Sequence, residues 1–306
     1  MENAPRTSKF DEFLYKRPYA SDALLILAII AIVLLAAALG CSSTPDAPGS
    51  RRVPIDHTGP YTTWWSDGVV REEGEYLEGE RHGFVRGFNP DGTLSFEGRF
   101  EHGLPMGEML TRFPGGGVKV AESMSGGRRE GVRIEYYESG QPRTEEVWAD
   151  NVRHGHALAW HENGVLASEG RHQHGEPAGV WRTWDARGVL LATRHHWVAD
   201  GAAVGQLETT WRPDGSVATQ TLMTRRDGAW AGWASAWHAN GRQASLTEFR
   251  DERRHGRDVT WNAAGRVTSE GRWVEDSRDG IWSYWDAAGV LERRVEYANG
   301  QLVSER

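Results

Sequence analysis

Cysteine is nearly absent, with Cys41 the only one in 306 residues. One thiol excludes an intrachain disulfide and any zinc site built on several thiolates. Disulfides therefore say nothing about compartment. An excess of basic residues is missing too. The formal net charge is -8, so no broad cationic surface is offered to phosphates, and nucleic acid is excluded as the main partner. Also absent is a strand-to-helix serine elbow of the G-x-S-x-G type. The aromatic residues are skewed, with 15 Trp against 8 Tyr and 8 Phe.

Glycine, by contrast, is abundant and periodic. Gly68, Gly92, Gly116, Gly140, Gly164 and Gly188 follow one another at intervals of 24. Steps of 27 to Gly215 and 26 to Gly241 follow, and the interval of 24 resumes at Gly265 and Gly289. A fixed period in the range of about 20–50 residues marks a repeat architecture. Repeats make the chain one quasi-linear unit despite a length that would suit two ordinary domains.

The columns of this repeat carry its chemistry. Four residues before the glycine stand Trp64, Phe88, Arg112, Tyr136, Trp160, Trp184, Trp211, Trp237, Trp261 and Trp285. Eight after it stand Tyr76, Phe100, Met124, Trp148, His172, His196, Met223, Phe249, Trp273 and Tyr297. Turn-formers precede many of the glycines, as in Ser66-Asp67-Gly68 and Glu162-Asn163-Gly164, and Asn-Gly and Asp-Gly supply the positive φ of tight hairpin turns. A second glycine closes the unit at plus 15, from Gly83 to Gly280, and at plus 17 as Gly205 and Gly232. Plus 2, plus 6 and plus 8 share a parity and are expected on one strand face. Plus 6 is glycine at 74, 98, 170 and 271, a gap expected to receive the aromatic ring from minus 4. Plus 5 is Glu73, Glu97, Glu145, Glu169 and Glu270, expected on the wet face. The fold class is therefore all-β. About ten 24-residue β-hairpin repeats form one twisted antiparallel sheet, preceded by an N-terminal apolar helix. A hairpin alone is marginal in water, and stacking makes the sum stable. Two strands per unit at ~4.8 Å each give a run on the order of 100 Å for ten units.

The unit W-x-x-x-G-x-x-x-x-E-G-x-Y/F-x-x-G-x-x-x-G resembles the MORN repeat in its bacterial variant form. Trp160 to Gly179 matches it closely apart from His172 at the aromatic place, and Trp64 to Gly83 matches with Tyr76 in place. The resemblance covers about residues 59–300. It implies an interaction scaffold or a membrane-associated protein, and some bacterial members are labelled antitoxin components.

Residues 23–40 are apolar and uncharged, with Lys16 and Arg17 upstream. A charged region, an apolar run and a small-residue zone are the parts of a secretory signal. Ala38-Leu39-Gly40-Cys41 resembles the lipobox of bacterial lipoproteins, although leucine is usual at the place of Ala38. That resemblance implies diacylation of Cys41, which becomes the mature N-terminus, and Ser42 after it points to an outer membrane in a Gram-negative cell. The alternative is an uncleaved inner-membrane anchor, since a span needs roughly 20 apolar residues, with a cytoplasmic N-terminus set by Lys16 and Arg17. Both readings export the repeats. Residues 1–40 are thus signal peptide or anchor, 41–58 a flexible tether, and 59–306 the repeat domain.

Candidate chemistry is sparse. His172 and His196 hold equivalent places one repeat apart, roughly 10 Å, so one metal ion cannot bridge them. His154 is read as a loop residue like His82 and His255. No metal, cofactor or catalytic residue is expected, because carboxylates that recur as solvated faces do not make an acid–base pair in a cleft. The two longer units are different. Insertions in repeat proteins map to loops on a binding face, and exposed Trp is enriched at hot spots. Trp197, Trp230 and Trp233 are the partner-binding candidates. The expected function is a membrane-anchored scaffold that binds another protein and has the capacity to self-associate through its sheet ends. The alternatives are a lipid-binding module or an antitoxin-like neutraliser.

Overall fold

The computed structural model describes residues 56–199, 202–226 and 228–306, the side chain of Arg226 excepted. The expected N-terminal helix, Cys41 and the tether up to residue 55 lie outside the described residues. The strands are β1 (Gly59–Trp64), β2 (Val70–Leu77), β3 (Glu80–Phe88), β4 (Leu94–Glu101), β5 (Leu104–Arg112), β6 (Val118–Ser125) and β7 (Arg128–Tyr136). Next come β8 (Pro142–Ala149), β9 (Val152–Trp160), β10 (Leu166–Gln173), β11 (Glu176–Trp184), β12 (Leu190–Ala199), β13 (Ala202–Trp211) and β14 (Val217–Arg226). The array continues with β15 (Ala229–Trp237), β16 (Gln243–Arg250), β17 (Arg253–Trp261), β18 (Val267–Val274), β19 (Ser277–Trp285), β20 (Leu291–Ala298) and β21 (Gln301–Glu305). Each pairs antiparallel with the next in the chain, giving one open sheet of 21 strands. Among the described residues there is no helix, and so none long and apolar enough to cross a membrane.

Two turn types alternate, and only one is the tight turn expected. In the loop at the periodic glycine, only that glycine has positive φ, as at Gly164 (83°). Its N–H reaches the carbonyl three residues back, and a second bond joins minus 3 to plus 1. That pattern is a type I turn closed by a left-handed glycine. The Asp or Asn before it does a different job. Its side-chain oxygen accepts the N–H of plus 1, as Asp91 does from Thr93 at 2.9 Å and Asn163 from Val165 at 3.1 Å. The two-residue turn with both residues left-handed is the other one, at Glu78-Gly79, His102-Gly103, Asp150-Asn151 and His174-Gly175. Its second N–H bonds the carbonyl of a residue in the preceding unit, such as Gly175 to Arg153 at 2.9 Å.

The strand register corrects the expected faces. Thr63 pairs with Glu72, but Trp64 pairs with Val70, so one residue of β2 is bulged out. The same shift recurs at Gly87/Phe88, Thr183/Trp184 and Tyr284/Trp285. Such a slip moves the side chains beyond it to the other face. The minus 4 aromatics and plus 2 therefore lie opposite plus 4, plus 6 and plus 8. An ion pair confirms the placement, since Arg112 at minus 4 meets Glu97 at plus 5. The glutamate column shares the tryptophan face.

The gap at plus 6 is filled from elsewhere. The ring over Gly170 is Trp181, and the ring over Gly271 is Trp282. A Cβ at either glycine would stand 2.1 Å from the indole Cδ2. Val85 covers Gly74 and Met109 covers Gly98 in the same way. All four come from minus 7 of the following unit, not from minus 4. Each indole also donates Nε1–H across the glycine strand at 3.1 Å, Trp181 to the Arg171 carbonyl and Trp282 to that of Arg272. Each stacks edge-on against the plus 8 ring, His172 at 5.0 Å or Trp273 at 5.2 Å. This is where burial concentrates on the glycine face, with Trp282 only 2% exposed.

The longer units also differ from expectation. Their extra residues do not swell a loop, because β12, β13 and β14 each run 10 residues and two-residue connections remain. The pairing of β14 with β15 proceeds without a shift from Arg226↔Ala229 to Thr219↔Ala236. Elsewhere the closing glycine has positive φ, as at Gly83 and Gly155, but Gly205 and Gly232 do not. In the second longer unit the insertion straightens the β14–β15 hairpin, whereas β12–β13 of the first keeps a shift at Trp197/Val198.

Candidate functional site

An open single sheet has no second layer, so its faces are its surface. On the tryptophan face, ion pairs link consecutive strands. Arg182 meets Glu169 at 2.7 Å and Arg257 meets Glu270 at 2.9 Å. Exposed apolar side chains flank these pairs on the same face, among them Trp64, Phe84, Val132 and Ile281. On the glycine face, arginines at plus 13 alternate with plus 8 aromatics. Arg129 and Arg153 flank Trp148 at 5.2 and 5.3 Å, while Arg254 and Arg278 flank Trp273 at 3.8 and 5.7 Å. Carboxylates hold these guanidinium groups, with Arg153 bound to Glu146 at 2.9 Å and Arg129 to Glu122 at 2.8 Å. Most of the ladder's charge is thus spent inside the sheet.

The register separates the three candidate tryptophans. Trp197 pairs with Gly205 and Trp233 with Leu222, which places both on the tryptophan face. Trp230 pairs with Arg225 and alternates onto the glycine face. Trp197 is the exposed one at 43%, and the other two are half-buried. Trp230 is also tied at the turn, where its N–H donates to Asp251 Oδ1 at 3.1 Å.

Sequence reasoning passed over the minus 3 column. Several of its side chains reach the minus 4 carbonyl of the next unit, among them Trp65 Nε1 to Phe88 at 3.1 Å, Tyr137 Oη to Trp160 at 2.8 Å, His161 to Trp184 at 2.9 Å and His238 to Trp261 at 2.8 Å. The shared signal is a side-chain donor, not a residue type. His154, His82 and His255 are corrected as well, since they lie in strands β9, β3 and β17 and not in turns.

Titratable groups are tuned by packing. Burial, with Arg194, His172 and His195 adding to it, pushes His196 down to about 4. Burial also lowers His172. Burial and the neighbouring Glu72 carboxylate raise the Tyr61 phenol. Tyr61 donates to Glu72, which also takes two bonds from Arg81 at 2.9 and 2.7 Å. An open depression of about 280 Å³ beside this triad is lined by Pro60, Tyr61, Glu73, Glu75, Phe84 and Arg86. It brings carboxylates and an arginine together beside the Thr62 hydroxyl.

Comparison with known families finds three segments, residues 129–150, 153–174 and 278–299, that match the MORN repeat variant. Each match takes an odd strand and the following even one: β7–β8, β9–β10 and β19–β20. The matches support a MORN-repeat protein, and its β-hairpin repeats are the units described above. Comparison with curated proteins finds no match. Among solved structures, the crystal structure of TcdB2-TccC3-TEV aligns over 81% of this chain and 16% of its own, at 10% identity and a TM-score of 0.19. The chain spans about a sixth of that structure's chain.

Proposed function

We propose that this chain is an exported scaffold, anchored through a lipidated Cys41 or its apolar N-terminal segment, whose repeat sheet binds another protein. The observation that carries the reading is the open sheet with Trp197 exposed at 43% on the same face as Trp233. Exposed indoles of this kind are typical interface anchors. The face mixes apolar side chains with internally paired charges, which suits a protein surface better than a polyanion.

The test is in-cell cross-linking of the full chain followed by mass spectrometry. Trp197→Ala and Trp233→Ala should each cut recovery of the specific cross-linked partner at least several-fold. Trp230→Ala, on the opposite face, sets the comparison. Unchanged recovery in both tryptophan-face variants, with the chain still folded, would sink the reading.

A further inference from the structure

Strand pairing within the sheet brings together two columns that the sequence keeps 20 residues apart. Position plus 14 of one unit meets plus 10 of the next at the rim formed by the two-residue turns. In some units plus 14 simply caps that turn. Thr58 Oγ1 accepts the Glu78 N–H at 3.0 Å, and Glu130 Oε2 accepts that of Asp150 at 2.8 Å. At His154 and His174 both places are imidazoles. His154 Nδ1 faces the His174 N–H at 3.5 Å, so capping accounts for His154. It leaves the His174 ring without a role.

We propose that His154 and His174 form a two-imidazole site for a divalent transition-metal ion of the zinc, nickel or copper class. Their ring centroids lie 5.2 Å apart at an interplanar angle of 67°. Two imidazole nitrogens at about 2.0–2.1 Å from one ion hold their ring centres on the order of 5 Å apart. Both side chains are exposed, which gives an ion access and leaves room for water to complete its coordination. Imidazole suits these metals over calcium or magnesium. Among the described residues no group of three His, Cys, Asp or Glu is placed to hold one ion, so the protein supplies two ligands and water the rest. The same two columns repeat the pairing at His82 and His102, with centroids 5.8 Å apart. There Glu80 Oε2 lies 3.9 Å from His102 Nδ1. In the sequence, His172 and His196 are too far apart to share an ion and His154 reads as a loop residue; the fold pairs His154 with His174 instead.

Equilibrium dialysis of the full chain against zinc chloride, with metal analysis of the protein, tests the site. His154→Gln keeps a turn acceptor and His174→Asn keeps a residue that tolerates φ of 52°, so both variants retain the fold. Each should lose one bound ion per chain, while His238→Gln, whose ring serves the Trp261 carbonyl, should lose none. The same zinc per chain in wild type and in both pair variants overturns the proposal, as does wild type that binds no zinc.

Discussion

His172 and His196 stand in a column that is Tyr, Phe, Trp or Met in the other units, and they keep the packing role without the ring's usual basicity. The unfolded His196 imidazole takes its proton near 6.5, and the packed one only near 4. Between those values the unfolded chain binds more protons than the native one. Stability from this residue is therefore fully present above about pH 6.5 and is lost as pH falls toward 4. The ring is partly exposed, so solvent screening reduces the loss to about 1 kcal/mol. His196→Phe, matching Phe100 and Phe249, should flatten this part of the profile. Urea melts at pH 7 and pH 4.5 measure it, and an equal loss in wild type and variant would show that His196 is not the source. The sequence made plus 8 legible because its residues are mostly aromatic. Minus 7 was not legible, since Tyr61, Val85, Met109, Arg133, Ala157 and Trp181 share no chemistry. They share only a register, and the bulge beside minus 4 sets it.

At the scale of the element, several hairpins are fastened to the next by a minus 3 donor as well as by the sheet ladder. Tyr137 reaches the Trp160 carbonyl with its hydroxyl, while His161 and His238 use a ring nitrogen at the same place. Tyr137→Phe keeps the ring and removes only this bond. It should cost about 1 kcal/mol, as a partly buried neutral hydrogen bond does. Chemical denaturation of the full chain reads the loss, and stability equal to wild type would mean that water serves the carbonyl equally well. Hairpins and turns were plain in the sequence from glycine and its neighbours. The turn types were not, because Asp-Gly and Asn-Gly suit either a two-residue turn or a type I turn closed by glycine. The backbone bonds of Gly164 to His161 and of His161 to Val165 decide for the second. The two longer units were located by their spacing, but spacing alone cannot tell a bulging loop from a straightened strand.

Across the whole sheet, every strand pairs only with its neighbours in the chain, so order is passed from unit to unit, and among the described residues no distant segment closes the sheet. Stability should then be the sum of unit and nearest-neighbour contributions, and damage should stay local. Gly170→Ala is the sharpest probe, because Gly170 has ordinary φ and the cost is steric alone. The new Cβ would overlap Trp181, whose indole is held by its bond to the Arg171 carbonyl. Displacing that ring should cost about 1–3 kcal/mol. Native-state hydrogen exchange should show lowered protection in β9 to β12, while β2, β3 and β18 to β20 exchange as in wild type. Uniform loss of protection from β2 to β20 would instead mean that the array unfolds as one block. Gly98→Ala, facing the flexible Met109 thioether, should disturb β4 and β5 less than Gly170→Ala disturbs β10 and β11, since methionine can swing aside where a hydrogen-bonded indole cannot.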